Sequence, residues 1–165
     1  MKPDAVRQSR IALTRRLFCS AALLLAALLL AACGPDSKSG VFRDGYYTAE
    51  MAEFDSHGWK EFISIYVNRG SIVTVEYDAK NASGFIKSWD PDYMRHMNAR
   101  SGNYPNKYAR NYAHALLTYQ DPLRIDALTG ATESYHTFLL LASAVLDRAR
   151  TGTKLIAFVS ARAEP

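Results

Sequence analysis

The chain reads as an α+β domain, an antiparallel sheet with helices packed on one side. Three features carry that reading. Extended β-branched and aromatic runs crowd into residues 46–77, helical spacing takes over from Ser88, and no strand leads into a glycine-rich turn of the GxGxxG or GxxxxGK type. The last feature sets aside a parallel nucleotide-binding sheet.

Tyr46-Tyr47-Thr48-Ala49 opens the domain as a short strand. Phe62, Ile63, Ile65, Tyr66 and Val67, the turn Asn68-Arg69-Gly70, and then Ile72, Val73, Val75 and Tyr77 form a β-hairpin. β-Branched and aromatic side chains suit a pleated surface, and Asn and Gly suit the turn. Asp90-Pro91 is an N-cap followed by proline at the first helical position, with Tyr93, Met94 and Met97 at helical spacing beyond it. A second helix starts near Pro105, where Tyr108, Tyr112, Ala115, Leu116 and Tyr119 recur every three or four residues. This tyrosine stripe is read as the buried face of an amphipathic helix rather than as an electron path. Asp121-Pro122 ends the helix, Leu123 to Ile125 is a short extended piece, and Asp126 to Ala131 is a loop around Gly130. A long helix from about Thr132 to Arg150 places Tyr135, Phe138, Leu139, Ala142, Leu146 and Ala149 on one face. Arg148 and Arg150 in its last turn and Gly152 beyond suit the helix dipole and a left-handed cap. Leu155 to Val159 is a candidate final strand.

The formal charge of +4, from 20 Lys plus Arg against 16 Asp plus Glu, suggests an anionic partner until its position is considered. Residues 1–32 hold five basic residues (Lys2, Arg7, Arg10, Arg15, Arg16) and one acid (Asp4), so the whole excess lies there. The body is neutral and has no basic block. A nucleic-acid partner is therefore not expected, because phosphate neutralisation needs clustered Lys and Arg.

Residues 1–32 read as an export signal: a basic stretch, then Leu17 to Ala32, almost wholly Leu and Ala and short for a spanning helix, which needs ~20 apolar residues. Leu30-Ala31-Ala32-Cys33 resembles the lipobox of bacterial lipoproteins. The resemblance implies acylation of Cys33, which would become the first residue of a mature protein anchored to a bacterial membrane on its extracytoplasmic side. Residues 33–43, beginning Cys33-Gly34-Pro35-Asp36-Ser37, then form a lipid-anchored tether. Thr14-Arg15-Arg16-Leu17-Phe18 resembles a twin-arginine export motif, although the very apolar stretch after it favours general secretion. The chain's two cysteines are Cys19, in the expected leader, and Cys33, at the lipid site. The body is left without a thiol, so disulfide exchange, Cys-ligated zinc, iron–sulfur clusters and c-type haem are set aside. His96, His114 and His136 lack the paired spacing of a metal site.

The chemistry-bearing segment is Asp126-Ala127-Leu128-Thr129-Gly130-Ala131-Thr132, where the long helix begins. Thr132 is expected at the N-cap, with small Gly130 and Ala131 leaving its hydroxyl open and the helix N-terminus favouring an anion such as phosphate. Position and residue type alone allow either an anion site or an ordinary threonine cap.

Asp126-x-x-Thr129-Gly130-Ala131-Thr132 resembles the flavinylation motif D-x-x-[ST]-G-A-[ST] of the FMN-binding domain family. That family includes flavin subunits of sodium-pumping NADH:quinone oxidoreductase and of Rnf complexes, and extracytoplasmic electron-transfer lipoproteins. Asp44-Gly45-Tyr46-Tyr47-Thr48-Ala49, Asp55-Ser56-His57-Gly58-Trp59-Lys60, Lys87-Ser88 through Tyr93 and Met97, and Gln120-Asp121-Pro122 extend the resemblance from about Asp44 to Arg150. It implies an FMN-binding domain over 44–152 and a C-terminal segment, 153–165, with a possible last strand. It further implies FMN joined through its phosphate to Thr132 by an FAD:protein FMN transferase, with Thr129, Gly130 and Ala131 around the phosphate and Asp126 holding the loop or meeting the transferase. Trp59 is the first candidate for a wall against the isoalloxazine ring and Tyr135 the second; His57, Lys60 and Lys87 are further candidates to face the flavin. Glu133 departs from the pattern and must face solvent if the phosphate is to sit beside it. The implied function is electron carriage between membrane redox proteins, by an electron-transfer flavoprotein rather than a stand-alone enzyme. A non-covalent FMN binder, or a non-redox lipoprotein that binds a ligand or partner, are the alternatives.

Overall fold

The computed structural model describes residues 41–160. The expected leader at 1–32, the lipidation candidate Cys33 and the tether as far as residue 40 lie outside the described residues, as do residues 161–165. In chain order the elements are β1 (Gly45–Met51), β2 (Lys60–Asn68), β3 (Ser71–Lys80), α1 (Pro91–Ser101), α2 (Pro105–Tyr119), α3 (Thr132–Thr151) and β4 (Ala157–Val159), with 3₁₀ turns at Lys87–Trp89 and Pro122–Arg124.

The strands form one sheet in the order β3-β2-β1-β4. β1, β2 and β3 are antiparallel, and β2 turns into β3 through Arg69 and Gly70, whose φ values of 53° and 73° suit a tight two-residue hairpin. β4 runs parallel to β1, which makes the sheet mixed rather than wholly antiparallel. The reason lies in α3, which runs down the sheet until the Ala149 carbonyl accepts from the Arg43 N–H at 2.9 Å, just before β1 begins. The strand that follows can only return alongside β1.

Alternation along the strands puts Tyr47, Ala49, Ile63, Ile65, Val67 and Tyr77 toward the helices. The helices answer with Tyr108, Tyr112 and Leu116 from α2, so the tyrosine stripe is indeed core; Tyr119, at its far end, is 41% exposed. From α3 come Phe138, Leu141, Ala142, Val145, Leu146 and Ala149. The buried stripe of α3 is therefore rotated from the expected one, taking in Leu141 and Val145 and leaving Leu139 at its edge. Phe138 stacks on Tyr112 with ring centroids 5.0 Å apart and meets Tyr77 edge-on at 5.1 Å.

Asp90 caps α1 as expected, accepting from the N–H groups of Asp92 and Tyr93. The segment expected to be extended at Leu123–Ile125 is instead mostly a 3₁₀ turn, because the Asp121 side chain caps Leu123 N and Pro122 holds a helical φ at the first position. Gln120 lies in the left-handed region, with φ 58°. From there its side chain pairs with the edge of β3, accepting from Ile72 N at 2.7 Å and donating to Ile72 O at 2.9 Å. Phe138→Ala should lower the unfolding free energy by about 3–5 kcal/mol, read by denaturant unfolding, since the fully buried ring bridges strand and helix and the void cannot close.

Candidate functional site

Where β1 ends and β2 begins, a cavity of about 750 Å³ opens between the end of the sheet and the helices. The loop joining these strands supplies Trp59 and His57. Its shape comes from Asp55, whose carboxylate oxygen accepts from the N–H groups of His57 and Trp59, each at 2.8 Å. Trp59 is only 7% exposed. Tyr93 of α1 meets Trp59 edge-on at 5.8 Å, and Met97 and Tyr108 continue the wall from α1 and α2.

Lys87 reaches the same cavity from the turn after β3. Asp78 holds that turn by accepting from Ser88 N at 3.3 Å. Lys87 is 5% exposed, its Nζ 5.0 Å from the ring centre of Tyr93 and 5.8 Å from that of Trp59. Among the described residues no carboxylate lies within salt-bridge distance of it. The cavity thus carries a cation set against aromatic faces, an arrangement that attracts an electron-rich or anionic group. Lys60, the other lysine candidate, pairs with Glu50 instead, at 3.3 Å.

The opposite rim is the start of α3. Gly130, Ala131, Thr132, Glu133, Ser134 and Thr137 line it. Ala131, not Thr132, holds the N-cap position; Thr132 is the first residue inside the helix and is exposed, with its hydroxyl free of any capping duty. The reason is the preceding turn, closed by Ala131 N donating to Leu128 O at 3.0 Å, which places the helix start one residue earlier than a threonine cap would. With no side-chain cap, the first-turn N–H groups of α3 are left to a solvent molecule or an anion. Glu133 is exposed.

Two side chains hold the loop that leads here. The Tyr112 hydroxyl accepts from Leu128 N at 3.0 Å and donates toward Ala131 O at 3.4 Å, while Asn103 donates to Thr129 O at 3.0 Å. Asp126 is exposed and lines a separate cavity of about 130 Å³ with Tyr119 and Arg124. Thr129 is also exposed. Tyr135 turns away from the large cavity, its hydroxyl donating to Ile125 O at 2.7 Å and its ring 5.9 Å from that of Tyr112. The structure therefore brings together Thr132, Ala131, Gly130, Trp59, His57 and Lys87, and not Thr129, Tyr135, Asp126 or Lys60.

Sequence reasoning missed Glu61. It lies on the inward face of β2 in line with Ile63, Ile65 and Val67, and strand alternation alone puts an acid there among apolar side chains. Its carboxylate accepts from the Tyr77 hydroxyl at 2.7 Å and from Ser134 Oγ at 3.3 Å. Glu61 is half-buried, and the desolvation of its carboxyl at the cavity wall raises it to about 7, against the opposing pull of those hydrogen bonds and of Lys87. Among the described residues no cluster of three His, Cys, Asp or Glu could hold a metal ion.

Fold and site together define a small α+β domain with a cavity at one end of its sheet and a helix N-terminus on the cavity rim. The chain belongs to the family of the 15 kDa lipoprotein of Treponema pallidum (strain Nichols), with 41% identity over 131 residues that span 79% of this chain and 90% of that protein. It is thus a lipoprotein, and no helix among the described residues is long and apolar enough to cross a membrane. The solved structure of the CPE2226 protein from Clostridium perfringens has the same fold, with a TM-score of 0.70 and 36% identity over 73% of this chain and 99% of that one. No protein-family model matches the chain.

Two outcomes test this geometry. Gly130 sits at φ 78°, and a Cβ there would come within 2.6 Å of the Ser101 carbonyl oxygen. Gly130→Ala should cost roughly 1–3 kcal/mol of stability in a denaturant titration. The second concerns pH. A carboxyl whose folded value, about 7, exceeds its ordinary 4.5 contributes fully below pH 4.5, and that contribution is lost as pH rises through 7. The unfolding free energy of the wild type minus that of Glu61→Gln should therefore fall by up to roughly 3 kcal/mol across this window. A flat difference would refute the desolvation of Glu61 as described.

Proposed function

We propose that this lipoprotein is a membrane-anchored extracytoplasmic flavoprotein that carries FMN covalently on Thr132 and acts as an electron carrier. The observation that carries the reading is the motif Asp126-x-x-Thr129-Gly130-Ala131-Thr132, whose last residue is exposed on the rim of a cavity walled by aromatic side chains. The residues fit the group. Uncapped N–H groups at the start of α3 suit a phosphodiester, Trp59 and Tyr93 suit a flat ring system, and Lys87 suits negative charge on that ring. Glu133, the one unfavourable charge beside the acceptor, is exposed, so water screens it.

In this reading an FAD:protein FMN transferase forms the bond between Thr132 Oγ1 and the FMN phosphorus and releases AMP. The transferase must activate the hydroxyl, since threonine is a weak nucleophile by itself. The flavin supplies the electron chemistry. Its surroundings in this chain orient it, limit water and set the charge it meets. Acylation of Cys33 would hold the protein at the membrane, within reach of membrane redox partners.

Mass spectrometry of the protein co-produced with the transferase should find the Thr132 peptide heavier by one FMN phosphoryl unit. Thr132→Ala should abolish the adduct and leave the fold intact. Yellow protein that loses its colour on denaturation and desalting would mean non-covalent FMN. A colourless, unmodified protein beside an active transferase would sink the flavin reading and favour a non-redox binding lipoprotein.

A further inference from the structure

Three oxygens lie in a row beneath the cavity: Glu61 Oε2, 2.7 Å from the Tyr77 hydroxyl oxygen, which is 2.9 Å from the Ser134 carbonyl oxygen. Two hydrogen bonds of this length need two protons. The carbonyl has none and tyrosine has one, so Tyr77 can fully satisfy one neighbour or the other. When Glu61 is protonated the row closes without conflict, the carboxylic acid donating to Tyr77 and Tyr77 donating to Ser134. When Glu61 is ionised, Tyr77 must turn to it and leave the carbonyl. We propose that Glu61 is a proton-holding residue of the cavity, which takes one proton from solvent when negative charge enters the cavity and returns it when that charge leaves.

The groups around it support the assignment. Tyr77 of β3 and Ser134 of α3 touch the carboxyl, Tyr108 and Tyr112 of α2 lie behind it, and Tyr93 of α1 shares the cavity. Lys87 is the nearby cation; Asp55 opposes it, and Glu53, His57 and Glu133 stand farther out on the rim. Desolvation, already seen to raise this carboxyl, keeps its proton exchangeable near neutral pH. With the flavin of the preceding section, electrons arrive from a low-potential reductant such as dithionite, which is oxidised. The Glu61 carboxylate takes one proton from water and forms one O–H bond. That coupling rests on the flavin reading, whereas the proton site does not.

The experiment has two arms. Carboxyl ¹³C NMR of the apoprotein should show one glutamate titrating near neutrality, absent from Glu61→Gln and moved upward in Tyr77→Phe, which removes a hydrogen bond to the ionised form. All glutamates titrating near pH 4 to 5 would overturn the proposal. In the flavinylated protein, an equilibrium redox titration between pH 5.5 and 8.5 should count more protons per two electrons for the wild type than for Glu61→Gln, the excess rising toward about one above pH 7, where Glu61 is ionised before reduction. Equal counts with FMN present on Thr132 would overturn the coupling. Should the protein take no flavin, the flavin reading falls, and the apoprotein titration alone decides whether Glu61 holds the proton.

Discussion

The contact among Tyr77, Tyr112 and Phe138 decides where the remaining parts can lie. One ring comes from β3, one from α2 and one from α3, so three elements distant in sequence are located by a single packing event. Aromatic rings are large and meet in few favourable geometries, and such a junction resists sliding. Two of the rings also carry hydroxyls that reach polar groups at the start of α3. Tyr112 holds the loop that precedes it, and Tyr77 meets Glu61 and the Ser134 carbonyl. The same packing that fills the core therefore aims the helix start at the cavity.

Strand alternation, the hairpin turn and the Asp90 cap were legible because each depends on neighbours close in sequence. So was the burial of the tyrosine stripe, which helical period alone predicts. The direction of β4 was not, since it follows from where α3 ends over the sheet. The loop before α3 misled for a similar reason: a threonine after a small-residue turn looks like a cap, but the turn closing at Ala131 moves the helix start back by one residue. Tyr135 suited a cavity wall by residue type, yet its hydroxyl is claimed by Ile125. Glu61 shows the opposite error. Its inward position could be read from Ile63, Ile65 and Val67, but which partners would meet it depended on β3 and α3 coming together.

Two strand glutamates show how environment divides the work of one residue type. Glu50, on the outer face of the sheet, is bridged by Lys80 and Lys60, which overcome the cost of burial and hold its carboxyl below the ordinary range. Glu61, on the inner face, has hydroxyls for partners and a cation only at a distance, so desolvation wins and the carboxyl rises to about 7. One is a fixed charge that fastens β1 to its neighbours. The other can change its charge without unpairing a buried cation.

The direction of β1 has a mechanical consequence. The cavity gathers at the end where β1 finishes, β2 starts and β4 finishes, whereas the chain enters the sheet at Gly45, where Asp44 grips the β2–β3 turn through Gly70 N. A strand of 7 residues separates these ends, a span of about 20 Å. A pull on the chain just upstream of Gly45 would thus meet the buried Phe42 ring and the Arg43 N–H bond to Ala149 first, and the backbone ladder of β1 after them. The cavity lies at the other end of β1, so such a load would reach it only through the length of that strand.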